Sequence, residues 1–165
     1  MLNRPRRLLI AFVTALLLGT GLATAPAALA APSGPSCVQD SERVFKFCVS
    51  PATASVGDTV TLTLDYTNRG SLTLESGFGY TGSPVGTYLI GLPSGDTVAC
   101  GPLGVESGCT YPLVPGGDTR TTSWPVTILA MPPDGRISFI PMVTQETRLV
   151  GVTTYDVPVL TLNVR

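Results

Sequence analysis

Residues 59–67 read TVTLTLDYT, with Val60, Leu62, Leu64 and Tyr66 alternating with Thr59, Thr61, Thr63, Asp65 and Thr67. A period of two sends successive side chains to opposite faces, so this stretch reads as a strand with one apolar face for a core and one hydroxyl-rich face for water. Asn68-Arg69-Gly70 ends it, because glycine takes the positive φ that many turns need. Gly57-Asp58-Thr59 begins it, and the same three letters return at Gly95-Asp96-Thr97 and Gly117-Asp118-Thr119. Each copy reads as a glycine turn, an aspartate that caps free backbone N–H groups, and a threonine that opens a strand. The copies lie 38 and 22 residues apart, and so unequal a spacing is not that of tandem repeats.

Outward from this strand, others are predicted at residues 43–49, 87–92, 97–101, 109–114, 119–129, 136–147 and 153–164. Helical periodicity is absent, while 15 Pro and 18 Gly punctuate runs rich in Val, Thr, Ile, Leu and aromatic residues. Trp124, Val126 and Ile128 offer a face large enough to seed a core. Pro125, Pro141 and Pro158 lack the N–H that a central ladder needs, and so predict an edge or a bulge. Seven or eight short strands in a domain of this size predict an all-β fold, a two-sheet immunoglobulin-like β-sandwich, with a closed barrel as second choice.

At the N-terminus, Arg4, Arg6 and Arg7 precede an apolar run from Leu8 to Leu18 that is shorter than the roughly 20 residues of a spanning helix. A small-residue exit follows at Ala28-Leu29-Ala30. Residues 1–30 therefore read as a secretory signal cleaved near Ala30, residues 31–36 as a flexible leader and residues 37–165 as one secreted or loosely surface-held domain with no stable membrane insertion. Loss of three of the ten basic residues leaves seven against eleven acidic ones, which removes the usual driving force for nucleic-acid binding. All four cysteines follow the signal, and an even count in an exported chain reads as disulfides. Three pairings are possible on paper; chain position favours Cys37 with Cys48 and Cys100 with Cys109. No C-x-x-C spacing occurs, so a four-thiolate zinc site is the weaker reading, and neither metal nor cofactor is expected.

PATASVGDTVTLTLDYTNRGS, residues 51–71, resembles the opening of bacterial secreted and cell-surface immunoglobulin-like modules, in which a V-G-D-x-V element leads a Thr-rich strand ending in Asn-x-Gly. LVPGGDTRTTSWPVTI, residues 113–128, is similar to the turn before a central strand of those modules, and DGRISFIPMVT, residues 134–144, resembles the strand after it. The stretch from Gly77 to Cys109 shows no such match. The resemblance implies a sandwich that adheres, spaces or presents a ligand and is not an enzyme. It carries over no catalytic or binding residue.

Catalysis has few places to stand. Without a single histidine there is no Ser-His-Asp triad, Cys-His pair or histidine metal site. Lys46, the lone lysine, lies within a strand between Phe45 and Phe47 and reads as a solvated side chain. The acids fall mainly at turns, where a shared calcium site would require the GDT turns to gather at one end of the fold. Phe78 and Tyr80, in a long Gly-rich stretch from about residue 70 to 86, are the candidate binding residues if that stretch is an exposed loop. The expected partner is an unknown extracellular protein or glycan. Two alternatives stand beside this non-catalytic binding or spacing module. One is a protease inhibitor presenting CGPLGVESGC, residues 100–109, as a stapled bait loop; the other is a carrier of an apolar ligand.

Overall fold

A computed structural model describes residues 33–71, 74–96, 99–100, 106–147 and 151–165, and among them there is no helix. The signal, the tip of the proposed bait loop around Leu103 and the expected strand start at Thr97 lie outside the described residues. Thirteen strands run in chain order among the described residues: β1 (Ser36–Gln39), β2 (Phe45–Ser50), β3 (Thr53–Ala54), β4 (Thr59–Thr67), β5 (Leu74–Ser83), β6 (Tyr88–Ile90), β7 (Ser94–Gly95), β8 (Ala99–Cys100), β9 (Glu106–Val114), β10 (Thr119–Ile128), β11 (Arg136–Thr147), β12 (Gly151–Tyr155) and β13 (Leu160–Val164). They form two sheets. The first is ordered β1-β2-β4-β10, with β6 and β7 end to end along the far edge of β10. The second is ordered β3-β13-β11-β5-β9-β8, with β12 beside β13 on the same flank of β11.

The sheets close on an aromatic core. Tyr66 of β4 stacks on Tyr111 of β9, Phe78 and Tyr80 of β5 meet the indole of Trp124 edge-on, and Tyr88 of β6 meets Phe139 of β11. Such pairs add about 0.5–1.5 kcal/mol each beyond the area they bury. Polar side chains also cross between the sheets. Tyr111 donates from its hydroxyl to Thr122 Oγ1 at 2.7 Å, Gln145 Nε2 donates to the Tyr66 hydroxyl at 3.1 Å, and Asn68 Nδ2 donates to the Val114 carbonyl at 2.8 Å.

The prolines sit where a flanking strand changes. Pro125 lies between the stretch of β10 that pairs with β6 and the stretch that pairs with β7. Gly91 N donates to the Pro125 carbonyl on that same side, so the missing N–H faces the break in the edge. Pro141 falls likewise between the residues of β11 that pair with β13 and those that pair with β12. Pro158 separates β12 from β13, and so the single strand expected over residues 153–164 is two.

Two further expectations are corrected. Ser36, assigned to the leader, is the first residue of β1. The Gly-rich stretch at residues 70–86 is not an exposed loop: from Leu74 to Ser83 it is β5, flanked along its length by β11 and β9 in the middle of the second sheet. Phe78 and Tyr80 are consequently core residues, 5% and 1% exposed, and cannot reach a ligand. Pairing on both sides overrides the poor strand propensity of glycine.

Candidate functional site

The GDT turns do not gather. Gly57, Gly95 and Gly117 all take positive φ, at 94°, 111° and 85°, which a residue with a Cβ rarely adopts. Asp58 Oδ2 accepts from Ser55 N at 2.8 Å, closing the first turn. Asp96 Oδ2 accepts instead from Thr121 N at 3.1 Å and braces β10. Asp118 pairs with Arg120 at 3.3 Å. Because β4 and β10 are antiparallel, with Thr59 opposite Thr127 and Thr67 opposite Thr119, Asp58 and Asp118 stand at opposite ends of a nine-residue ladder. That is about 27 Å apart at the usual rise per residue. Among the described residues no three His, Cys, Asp or Glu side chains come together as a metal site.

The cysteines pair as Cys37–Cys48 and Cys100–Cys109, with none free. Each bond joins residues directly opposite one another on neighbouring antiparallel strands, β1 with β2 and β8 with β9.

The outer face of the second sheet holds the feature that sequence reading misses. With Ser76, Phe78 and Tyr80 turned into the core, the alternate positions of β5 are outward, and two of them are Gly77 and Gly79. Register sets Gly79 beside Gly108 of β9 on one side and Met142 of β11 on the other, and sets Gly77 between Thr110 and Thr144. Three neighbouring positions therefore lack side chains, and an open groove of about 530 Å³ runs over bare backbone. Gly77, Gly79 and Gly108 form its floor; Thr110, Thr144, Met142 and Cys100 border it.

Among the described residues no charged side chain lines the groove. Met142 is 57% exposed, and Ile140, two residues back on the same face, is 46% exposed. Thr144 Oγ1 donates to the Gly77 carbonyl at 3.2 Å, which holds one wall in place. Beneath the floor lies the most aromatic part of the core, Phe78 against Tyr111 at 4.7 Å and against Trp124 at 5.4 Å. Burial is the largest cause of the raised Tyr111 pKa; the Thr122 hydrogen bond opposes it, and Asp96 and Asp65 add to it. The groove thus rests on packed strands rather than on a loop, the kind of support that keeps a contact surface preorganised.

Folding itself does not demand all of this bareness. A Cβ at Gly108 would meet only the Phe78 carbonyl, at 3.6 Å, which is ordinary van der Waals contact. The signal that could have revealed the face is the period of two at Ser76, Phe78 and Tyr80 with glycine between them.

Solved structures share this architecture. A cohesin module from a Clostridium perfringens family 33 glycoside hydrolase superposes with a TM-score of 0.59 over 79% of this chain and 98% of that one, at 7% identity. The fold is an immunoglobulin-like β-sandwich. A non-cellulosomal cohesin from the hyperthermophilic archaeon Archaeoglobus fulgidus superposes with a TM-score of 0.53 over 81% of this chain and 92% of that one, at 6% identity. A Nocardia farcinica protein with an immunoglobulin-like fold reaches 0.43 at 15% identity, over 67% of this chain and 92% of that one. No protein-family model matches the sequence, and no curated protein matches it. At such identities the likeness is one of fold.

Proposed function

We propose that this chain, exported after removal of residues 1–30, is a non-catalytic β-sandwich module that docks an extracellular protein on the outer face of β5, β9 and β11. The observation that carries the reading is the uncharged groove floored by Gly77, Gly79 and Gly108 and bordered by the exposed Met142. A backbone floor lets a partner's side chain or main chain approach closely. An exposed methionine supplies an adaptable apolar contact, and methionine is enriched at protein interfaces. Exposed apolar surface of this kind marks interaction sites on soluble domains.

The same surface favours a protein over a glycan. Sugar-binding faces commonly use exposed aromatic rings as platforms. The exposed large hydrophobic residues here are valine, leucine, isoleucine and methionine, with no aromatic ring among the described ones. The groove is also open to solvent, a shape that suits docking better than enclosure of a carried ligand.

The test is capture from extracellular protein fractions with wild type, Gly108→Leu and Thr63→Val side by side. The reading requires a protein retained by wild type and Thr63→Val and retained several-fold less by Gly108→Leu, whose Cβ has room above the floor and whose side chain enters the groove. Equal retention by all three would place docking elsewhere.

A further inference from the structure

We propose that the free edge of β12, residues 152–155, takes up an extended cationic segment of another protein as an added antiparallel strand, with a lysine or arginine of that segment beside Asp156. The site is the flank of the second sheet rather than the groove on its outer face, so the inference goes beyond the docking reading.

β12 pairs with β11 alone. In an antiparallel ladder alternate residues aim both N–H and C=O at the neighbour, and the others aim both away. Half of the backbone groups of residues 152–155 therefore point outward, and no backbone bond beyond the ladder reaches them from the described residues. Side chains do not shield the row either. Gly151, Val152, Thr153 and Thr154 are all exposed, so both faces of the strand are open. An extended main chain presents N–H and C=O at the matching spacing, and the occupant is accordingly a strand.

Sheet edges are commonly blunted by brevity, proline or charge. β3 and β7 have two residues each and β6 has three. β1, with four, follows directly on Pro35. β12 has five residues, Gly-Val-Thr-Thr-Tyr, and contains no proline, cation or acid. Its β-branched residues are those that suit a strand with neighbours on both sides.

Charge says which strand it takes. Asp156, next along the chain, and Glu42, in the turn between β1 and β2, are both exposed. Neither has an ion-pair partner among the described residues, and Arg43 in that turn pairs with neither. Burial is the largest cause of the raised Tyr155 pKa, and Glu42 and Asp40 add to it with no cation offsetting them there. An added strand thus meets carboxylates at the Tyr155 end of β12, where a basic residue is favoured and an acidic one repelled. In the antiparallel arrangement that is the amino end of the incoming segment.

The experiment titrates two capped hexapeptides of alternating Val and Thr, one with Arg and one with Glu at the amino end, into the folded protein. Amide shifts and hydrogen exchange are followed by NMR. The expected result is binding of the Arg peptide about threefold more tightly than the Glu peptide at low salt, a gap that closes as salt rises. Exchange should slow at alternate amides of residues 152–155. Asp156→Lys, a change at an exposed residue, should reverse the preference. Absence of binding at millimolar peptide, equal binding of the two peptides, or no reversal in Asp156→Lys would each overturn the proposal. So would loss of peptide binding in Gly108→Leu, which would put the peptide in the groove. Slowed exchange along β12 that grows with protein concentration in the absence of peptide would overturn it too, by making a second copy of this chain the occupant. The readout needs no captured protein, so its failure leaves the docking reading standing, and a failed capture leaves this proposal standing.

Discussion

On the outer face of β4 and β10 hydroxyls meet in cross-strand pairs: Thr59 with Thr127 at 3.1 Å, Thr63 with Ser123 at 3.2 Å and Thr67 with Thr119 at 2.9 Å. Thr121 donates to Asp65 at 2.8 Å in the same ladder. On the outer face of β5, β9 and β11 the central positions are Gly77, Gly79 and Gly108, with Met142 and Ile140 standing clear beside them. Both faces belong to long central strands covering one core. The first satisfies its polar groups from within and presents a wetted, even surface; the second leaves backbone and apolar side chains open. A sheet needs the first kind of face for solubility and register; on the second, Gly77 leaves room that Thr144 Oγ1 occupies, 2.9 Å from where a Cβ would stand, whereas Gly108 is bare although a Cβ would fit there. That difference is why we propose the glycine face, rather than the threonine face, for binding.

The largest expected effect removes the contrast altogether by opening the core that both faces share. The pKa of Tyr66 is pushed up to about 12, mainly by burial, with Tyr155 adding to the rise and the Gln145 hydrogen bond opposing it. Burial, with Glu42 and Asp40 adding, raises Tyr155 as well. A raised folded pKa means that the unfolded chain loses the proton first. Stability is therefore complete below pH 10 and falls as pH climbs toward 12, by on the order of 2–3 kcal/mol for Tyr66. Denaturant titrations at pH 9, 10.5 and 11.5 should show this fall, with both sheets unfolding together. A flat profile would mean that Tyr66 is not buried as described.

Next in size is Met142→Asp, which places a charge on the groove's border. Partner retention should drop at least tenfold, about 1.4 kcal/mol of binding. The denaturation midpoint should move little, because Met142 is exposed and surface changes stay within about 0.5 kcal/mol. Loss of stability equal to the loss of binding would remove the distinction between the faces. Gly108→Leu should act in the same direction but less strongly, a several-fold loss of retention with an unchanged far-UV spectrum.

Smallest is Thr63→Val on the other face. Breaking its pair with Ser123 should cost a few tenths of a kcal/mol to about 1 kcal/mol of stability, read from the denaturation midpoint, and leave partner retention untouched. A binding defect here would make the threonine ladder the docking face instead.

Much of the first sheet is legible in the chain. β4 runs over the very residues whose alternation announces it, and β10 follows the third GDT turn to within one residue of its expected end. In both, hydrophobic side chains at every second position coincide with good strand formers, so local and tertiary preferences agree. β5 is the reverse case. Its inward set of Ser76, Phe78 and Tyr80 keeps the period of two, but glycine at the outward positions gives the segment the composition of a loop. The proposed docking face is hidden for the same reason, since it is made of absent side chains.

What the sequence determined by itself is therefore the class of object: an all-β chain with apolar periods of two, turns at three GDT elements, four cysteines in two short spans and no histidine for catalysis. The tertiary structure decided which strands lie side by side. Only when β5 is placed between β9 and β11 do three glycines separated by up to 31 residues become one floor. Only then do Phe78 and Tyr80 move from candidate ligand contacts to core. The physical reason is that the side-chain pattern along a strand is local, whereas the groove arises from register between strands, which long-range pairing sets.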